Sequence, residues 1–166
     1  IFLAGLGTSQ FRQGKYNKAI LSFERALAIE PRNLNTRISL SLAHLNSGEN
    51  SEALLQSRKG LFIDESSIDL RLVRARSLIL LGRHEEAVID LAWLYHKNAK
   101  LWEVALLECQ VNRARGDFEI ALFLAAEVCE KYPLKVAPLN CFREIFFNFI
   151  GLASTKRVDE FLQGIG

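Results

Sequence analysis

The residues best suited to chemistry in this sequence are its three cysteines, Cys109, Cys129 and Cys141. They lie 20 and 12 residues apart, which is unlike the short paired spacing of a zinc site. An odd number of widely spaced cysteines also does not form a disulfide framework. We expect them to be small buried residues in a reducing, cytoplasmic compartment, with a periplasmic location as the alternative.

Other residue types do not form a catalytic pattern. The cysteines and histidines fall on different predicted helices and faces, so no cysteine–histidine nucleophile pair is expected. Gly5 and Gly7 lack the third glycine and the preceding strand of a nucleotide-binding loop. The carboxylate pair Glu85-Glu86 fits the first turn of a helix, where the helix dipole favours negative charge. We therefore predict a protein that is not an enzyme and that has no metal and no cofactor.

Composition is that of an ordinary globular domain. The 166 residues are 49% apolar and 24% charged, with 21 basic and 19 acidic side chains and a net charge of +2. This charge does not indicate a nucleic-acid partner, and no stretch approaches the roughly 18 consecutive apolar residues of a membrane span. Methionine is absent, which indicates that the chain is a piece of a longer protein or that its methionines were replaced.

The elements that would position any site follow an internal period of 34 residues. Two residue types recur at this interval: glycine at Gly14, Gly48, Gly82 and Gly116, and alanine at Ala19, Ala53, Ala87 and Ala121. Apolar residues at three- and four-residue steps on both sides of each glycine predict a helix, a turn and a helix in every unit. The glycines are predicted to end the first helices in the left-handed conformation. Positions 34 residues apart are called equivalent below.

The first unit has the residues of a known repeat. From Gly14 to Pro31 it resembles a tetratricopeptide repeat, and Leu6 and Gly7 match the leucine and glycine of that family's first helix. The resemblance implies an all-α fold, a right-handed solenoid of antiparallel helix pairs. We predict four tandem repeats, at about residues 1–33, 34–67, 68–101 and 102–135. Residues 136–166 are predicted to form a divergent fifth repeat or a pair of capping helices.

The resemblance also implies a concave groove lined by the first helices. By register, the groove residues are Thr8, Phe11, Asn35, Ile38, Ser39, Leu42, Leu72, Val73, Arg76, Leu106, Leu107, Gln110 and Arg113. An apolar floor with a few donors suits an amphipathic helix or an extended segment of a partner protein. The alternative is that several of the leucines pack between neighbouring repeats.

The second helices would form the convex face, where polar residues are usual. Apolar residues stand there instead at Leu55, Phe62, Ile89, Trp93 and Phe123. An exposed apolar patch is typical of an interface, and tryptophan is frequent at binding hot spots. We predict a second binding surface here, with self-association through this face or through the open C-terminal end. The alternative is that Trp93 folds over its own helix or that flanking sequence covers it.

One buried ion pair is expected in the third unit. Arg74 takes the place of a core leucine, and Asp90 faces it from the partner helix. Because a half-buried guanidinium needs a carboxylate, we predict a structural contact between the two, with Glu108 as the rival acid. A modest group of arginines makes RNA binding an alternative. Helical-repeat proteins that bind RNA read its bases with polar residues at the same place in each repeat, and this sequence lacks that pattern. No nucleic-acid partner is therefore predicted.

The sequence thus predicts a non-enzymatic scaffold or adaptor that binds a segment of a partner protein in its concave groove. Two alternatives stay open. One is a cargo chaperone or assembly factor for a secretion or envelope complex. The other is the recognition arm of a larger enzyme whose catalytic domain lies outside these residues.

Overall fold

The described part of the chain is built from α-helices alone. The structure, a computed structural model, describes residues 2–98 and 101–132. Its helices are α1 (Phe2–Arg12), α2 (Tyr16–Ile29), α3 (Leu34–Ser47), α4 (Asn50–Ile63), α5 (Ile68–Leu80), α6 (His84–His96), α7 (Leu101–Arg115) and α8 (Phe118–Lys131). The predicted fifth repeat or cap at residues 136–166 lies outside the described residues.

The chain divides into two compact units. Unit 1 is Ile1–Ala99 and contains α1 to α6, and unit 2 is Lys100–Gly166 and contains α7 and α8. The turns inside the four helix pairs are made by Gly14, Gly48, Gly82 and Gly116, whose φ angles are 72°, 86°, 74° and 87°. The predicted left-handed turns are therefore confirmed. A side chain in this conformation costs about 1–2 kcal/mol, which explains the recurrence of glycine.

Packing in unit 1 defines an inner and an outer side. Each helix packs against its neighbours along the chain, and the first helices also contact one another, α1 with α3 and α3 with α5. Because neighbouring first helices approach each other in this way, α1, α3 and α5 form the inner side. The second helices α2, α4 and α6 form the outer side.

Within the first helix pair, close packing depends on Gly7. This glycine is buried, and a Cβ atom added to it would lie 2.6 Å from two carbons of the Phe23 ring. Phe23 is only 1% exposed, so its ring has no free space to move into. At the positions equivalent to Gly7 and Phe23, the other helix pairs have buried residues of different size: Ser41 and Ser57, Ala75 and Leu91, and Cys109 and Ala125.

Residues 2–98 and 101–132 contain no group of three histidine, cysteine, aspartate or glutamate side chains placed to hold a metal ion. No helix within these ranges has the length and apolar character needed to cross a membrane. Cys109 is buried and Cys129 is half-buried, and Cys141 lies outside the described residues.

Candidate functional site

The predicted groove residues of unit 1 divide into accessible and buried sets. The accessible or half-buried ones are Thr8, Phe11, Asn35, Ile38, Ser39, Leu42 and Arg76. Leu72 and Val73, in contrast, are only 8% and 3% exposed, so placing them in the groove was wrong. Helix α5 is packed against α3, α4 and α6, and these contacts take up the side of α5 on which the two residues lie.

Ile38 and Leu42 form the apolar centre of the inner face. They lie four residues apart on α3, which places them on one side of that helix. Leu42 packs against a buried cluster made by Leu45, Ala53 and Val73, and this contact explains why it is half-buried. The two residues therefore present apolar surface to solvent from a fixed position.

Polar side chains border this centre. The Thr8 hydroxyl donates a hydrogen bond to the Ala4 carbonyl at 3.0 Å, and Asn35 is exposed at the start of α3. Arg76 is exposed on α5 and forms no ion pair with any residue that the structure describes. Its guanidinium can therefore receive a carboxylate of a partner in a two-point contact. Phe11 is engaged with the core, where it meets Tyr16 edge-on with ring centres 5.4 Å apart.

Asp90 of α6 is buried between two arginines of α5. It is 1% exposed, and its Oδ2 accepts a hydrogen bond from Arg74 Nε at 2.7 Å. Its Oδ1 accepts one from Arg74 Nη2 and another, at 3.2 Å, from Arg71 Nη1. These hydrogen bonds raise the pKa of Arg74 above its ordinary value. The sequence indicated Arg74 as the partner of Asp90 and missed Arg71.

Arg71 also determines the environment of Trp93. Its guanidinium carbon lies 4.0 Å from the centre of the Trp93 ring, and its Nε and Nη2 donate to the Glu65 carbonyl at 3.2 and 3.0 Å. A guanidinium stacks well on an aromatic face. Trp93 is therefore half-buried beneath Arg71 and not fully exposed, and its role in a convex binding surface stays a prediction.

The preceding repeat has an equivalent arrangement without a carboxylate. Arg37, the equivalent of Arg71, donates to Gln56 Oε1 at 3.0 Å and to the Pro31 carbonyl at 2.6 Å. Gln56 is the equivalent of Asp90. The recurrence of arginine at this position is the sequence signal that identifies Arg71 as part of the packing between helices.

Comparison with known proteins decides the family. A family model described as anaphase-promoting complex, cyclosome, subunit 3, which is of the tetratricopeptide-repeat type, matches residues 12–94, half of the chain. The chain belongs to this tetratricopeptide-repeat family. No match was found among curated protein sequences.

Solved tetratricopeptide-repeat structures have the same fold. A protein from Parabacteroides merdae gives a TM-score of 0.78 at 21% identity, over 87% of this chain and 57% of that one. A protein from Thermus thermophilus gives 0.72 at 20% identity, over 87% and 80%. MamA from Desulfovibrio magneticus gives 0.77 at 13% identity, over 99% and 91%. At these identities the likeness shows the fold alone, and the chain spans little more than half of the first of these proteins.

On the outer side of this tetratricopeptide-repeat chain, apolar residues are exposed at one recurring position. Leu55 and Ile89 were expected there, and the equivalent Leu21 joins them, with exposures of 42%, 68% and 57%. We call Leu21, Leu55 and Ile89 the apolar stripe of unit 1. Phe62, two turns after Leu55 on α4, is 94% exposed. In unit 2, Phe123 has the equivalent position and is 63% exposed.

Unit 2 contains the remaining groove candidates. Leu106, Gln110 and Arg113 are half-buried on α7. Leu107 is only 6% exposed, so placing it in the groove was wrong. Helix α7 packs against α8.

Glu108 in unit 2 is the source of a pH-dependent prediction. Burial, and secondly the charge of Glu127, raise the pKa of Glu108 above its ordinary value. A raised carboxyl pKa means that the folded state binds the proton more tightly than the unfolded state does. Folding stability therefore rises as pH falls from neutral through the raised pKa. We expect Glu108→Gln to raise the melting temperature at neutral pH and to flatten this dependence.

Thermal melts of wild type and Glu108→Gln at neutral and mildly acidic pH measure the effect. Glu119→Gln, on the exposed start of α8, is the matched control and should keep the wild-type pH dependence. An unchanged pH dependence in Glu108→Gln would contradict the prediction.

Proposed function

We propose that unit 1 is a non-enzymatic protein-interaction module that holds an amphipathic segment of a partner against α1, α3 and α5. The observation that carries the proposal is the half-buried apolar pair Ile38 and Leu42 on the inner side of the helix pairs, which leaves part of its apolar surface exposed to solvent. Apolar residues in such a position stabilise a bound segment by removing its apolar side chains from water.

The surroundings of this pair indicate the chemistry of the segment. Arg76, exposed and without an ion pair among the described residues, favours a partner with an acidic side chain. Asn35 and Ser39 offer hydrogen bonds to its polar groups. The proposed ligand is therefore a segment with two or three apolar residues on one side and an acidic residue at the end nearest to α5.

A cross-linking pull-down from the native source tests the proposal with three forms of the chain. Ile38→Glu/Arg76→Glu replaces the apolar centre and reverses the charge at its border. Leu80→Glu is the matched control, because Leu80 is 55% exposed at the end of α5 and its equivalents Arg12 and Asn46 are polar.

We expect wild type and Leu80→Glu to capture the same protein, and Ile38→Glu/Arg76→Glu to bind it at least about 30-fold more weakly, since two central interface residues contribute over about 1 kcal/mol each. Circular dichroism spectra of the three forms check that all are folded. Capture of the same protein in equal amounts by all three forms would contradict the proposal.

A second candidate function, an assembly factor, is favoured by one specific observation. The apolar stripe lies on the outer side of unit 1, away from Ile38 and Leu42 on the inner side. A protein that assembles other components needs two separate surfaces, and the inner apolar pair and the outer apolar stripe would serve as these two.

A further inference from the structure

The apolar stripe is flanked by charges in an ordered way. On α2 and α4, a stripe residue stands between exposed residues of opposite charge, about one turn away on either side: Lys18, Leu21 and Glu24 on α2, and Glu52, Leu55 and Lys59 on α4. A second basic residue is exposed about one turn after the stripe on each helix, Arg25 on α2 and Arg58 on α4, and Arg58 pairs with Glu86. Within the part of the chain that the structure describes, no ion pair is formed by Lys18, Glu24, Glu52 or Lys59. All four are therefore available to an external partner.

We propose that the apolar stripe binds a second copy of this chain, through a two-fold axis that runs along the stripe. Such an axis lies across the helices, so α2 and α4 of the two copies pair antiparallel about Leu21 and Leu55. In a two-fold interface each residue pair occurs twice, once from each side. The charge before the stripe in one copy then meets the charge after the stripe in the other.

The signs of the charges fit this symmetry best on α4, where Glu52 of one copy faces the basic residues Arg58 and Lys59 of the other. On α2, Lys18 of one copy faces Glu24 of the other, and the neighbouring Arg25 adds a like charge there. The charges on α4 therefore select the antiparallel register. A two-fold axis parallel to the helices would instead place Glu52 on Glu52. Opposite charges across an interface select one register and disfavour others.

The exposure of Phe62 has an explanation in the same arrangement. Phe62 lies two turns after Leu55, so antiparallel pairing places it over the start of α4 in the other copy. The residues there, Gly48 and Ser51, are small and exposed, which leaves room for a phenyl ring. Burial of a ring that is 94% exposed in the single chain favours association.

The dimer does not depend on the proposed groove, because the stripe and the groove lie on opposite sides of the helix pairs. Pairing through the outer side leaves both inner sides accessible. Two grooves in one particle would bind a partner that carries two copies of the segment more tightly than one groove does.

Sedimentation equilibrium of the full chain over a range of concentrations tests the proposal. We expect a reversible monomer–dimer equilibrium for wild type and for Leu80→Glu, and a loss of dimer affinity of at least about tenfold for Leu55→Glu. Lys59→Glu should also weaken the dimer, because it places like charges opposite each other twice. Glu52→Lys/Lys59→Glu should restore it, because the swapped charges are complementary again.

Cysteine cross-linking locates the axis. A residue on a two-fold axis meets its own copy, so Leu55→Cys should form a symmetric disulfide on mild oxidation, whereas wild type and Leu80→Cys should not. A disulfide requires Cα atoms within about 7 Å of each other, which makes the test specific for an on-axis position.

Three results would overturn the proposal: a wild-type chain that stays monomeric at every concentration, a dimer that Leu55→Glu leaves intact, or a charge swap that fails to restore what Lys59→Glu weakens. A monomeric wild type whose stripe variants lose a different protein would assign the stripe to that protein instead. If circular dichroism shows that Leu55→Glu is unfolded, the charge-swap variant and the Leu55→Cys disulfide test the proposal in its place.

Discussion

Replacing Asp90 with alanine is expected to cost about 3–5 kcal/mol of folding free energy, because it removes the carboxylate that contacts both Arg71 and Arg74 and leaves Arg71 with the exposed Glu65 carboxylate at 3.9 Å. Arg71 is 7% exposed and Arg74 is half-buried, so neither guanidinium regains full hydration. Chemical denaturation of Asp90→Ala and wild type, followed by circular dichroism, measures the loss.

The preceding repeat supplies the variant that should recover this stability. Leu40 and Gln56 are the equivalents of Arg74 and Asp90, and Leu40 is 2% exposed in the core. Arg74→Leu/Asp90→Gln therefore copies a packing that the chain already uses, with Arg71 left to donate to the new glutamine. We expect the double variant to regain most of the loss. A stable Asp90→Ala, or a double variant no better than the single one, would contradict the role of this cluster.

Glu86→Gln is the matched control on the same helix. Glu86 accepts hydrogen bonds from Arg83 at 2.6 and 2.9 Å and lies 3.4 Å from an Arg58 nitrogen. The Arg83 hydrogen bonds lower the pKa of Glu86. All of these groups are exposed, so solvent screens their interaction and the change in stability should be small.

Replacing Gly7 with alanine is expected to cost about 2 kcal/mol, although alanine favours a helix over glycine by about 1 kcal/mol. The added methyl group would lie 2.6 Å from two carbons of the buried Phe23 ring. Either the Phe23 ring or one of the two helices has to move, and the packing of the first pair is loosened. The same denaturation experiment measures this loss.

Gly5→Ala is the control on the same helix. A Cβ atom at Gly5 meets nothing within 4 Å, so this variant should gain about 0.5–1 kcal/mol. Gly7→Ala/Phe23→Leu copies Ala75 and Leu91 of the third helix pair and should recover most of the loss. Equal effects of Gly5→Ala and Gly7→Ala would show that the contact with Phe23 does not limit packing.

The 34-residue period of the sequence was sufficient to predict the fold, because the recurring residues have the same structural role in every repeat. Gly48, for example, can be assigned to a left-handed turn from its position alone, and its φ of 86° confirms the assignment. The inner face was harder to predict. Register places Val73 and Ile38 on similar faces of their helices. Val73 is nevertheless buried and Ile38 is half-buried, because a first helix is packed on several sides.

The arginine cluster shows a second limit. Three groups converge on Arg71: the Glu65 carbonyl from the turn before α5, and Asp90 and Trp93 from α6. The spacing of residues along the sequence does not predict which of them meet in this way. Comparison of equivalent positions does indicate a packing role for Arg71, since Arg37 has the same role one repeat earlier.

Site-specific photo-cross-linking tests most directly whether the inner side of unit 1 binds a partner protein. A photoreactive amino acid is placed at Ile38 on the inner side, at Leu55 in the apolar stripe and at Leu80 as control, and each chain is irradiated in the native extract. We expect the probe at Ile38 to label one protein other than this chain, and the probe at Leu80 to label none. If the probe at Ile38 labels nothing while the probe at Leu55 labels a protein other than this chain, binding in the groove is contradicted.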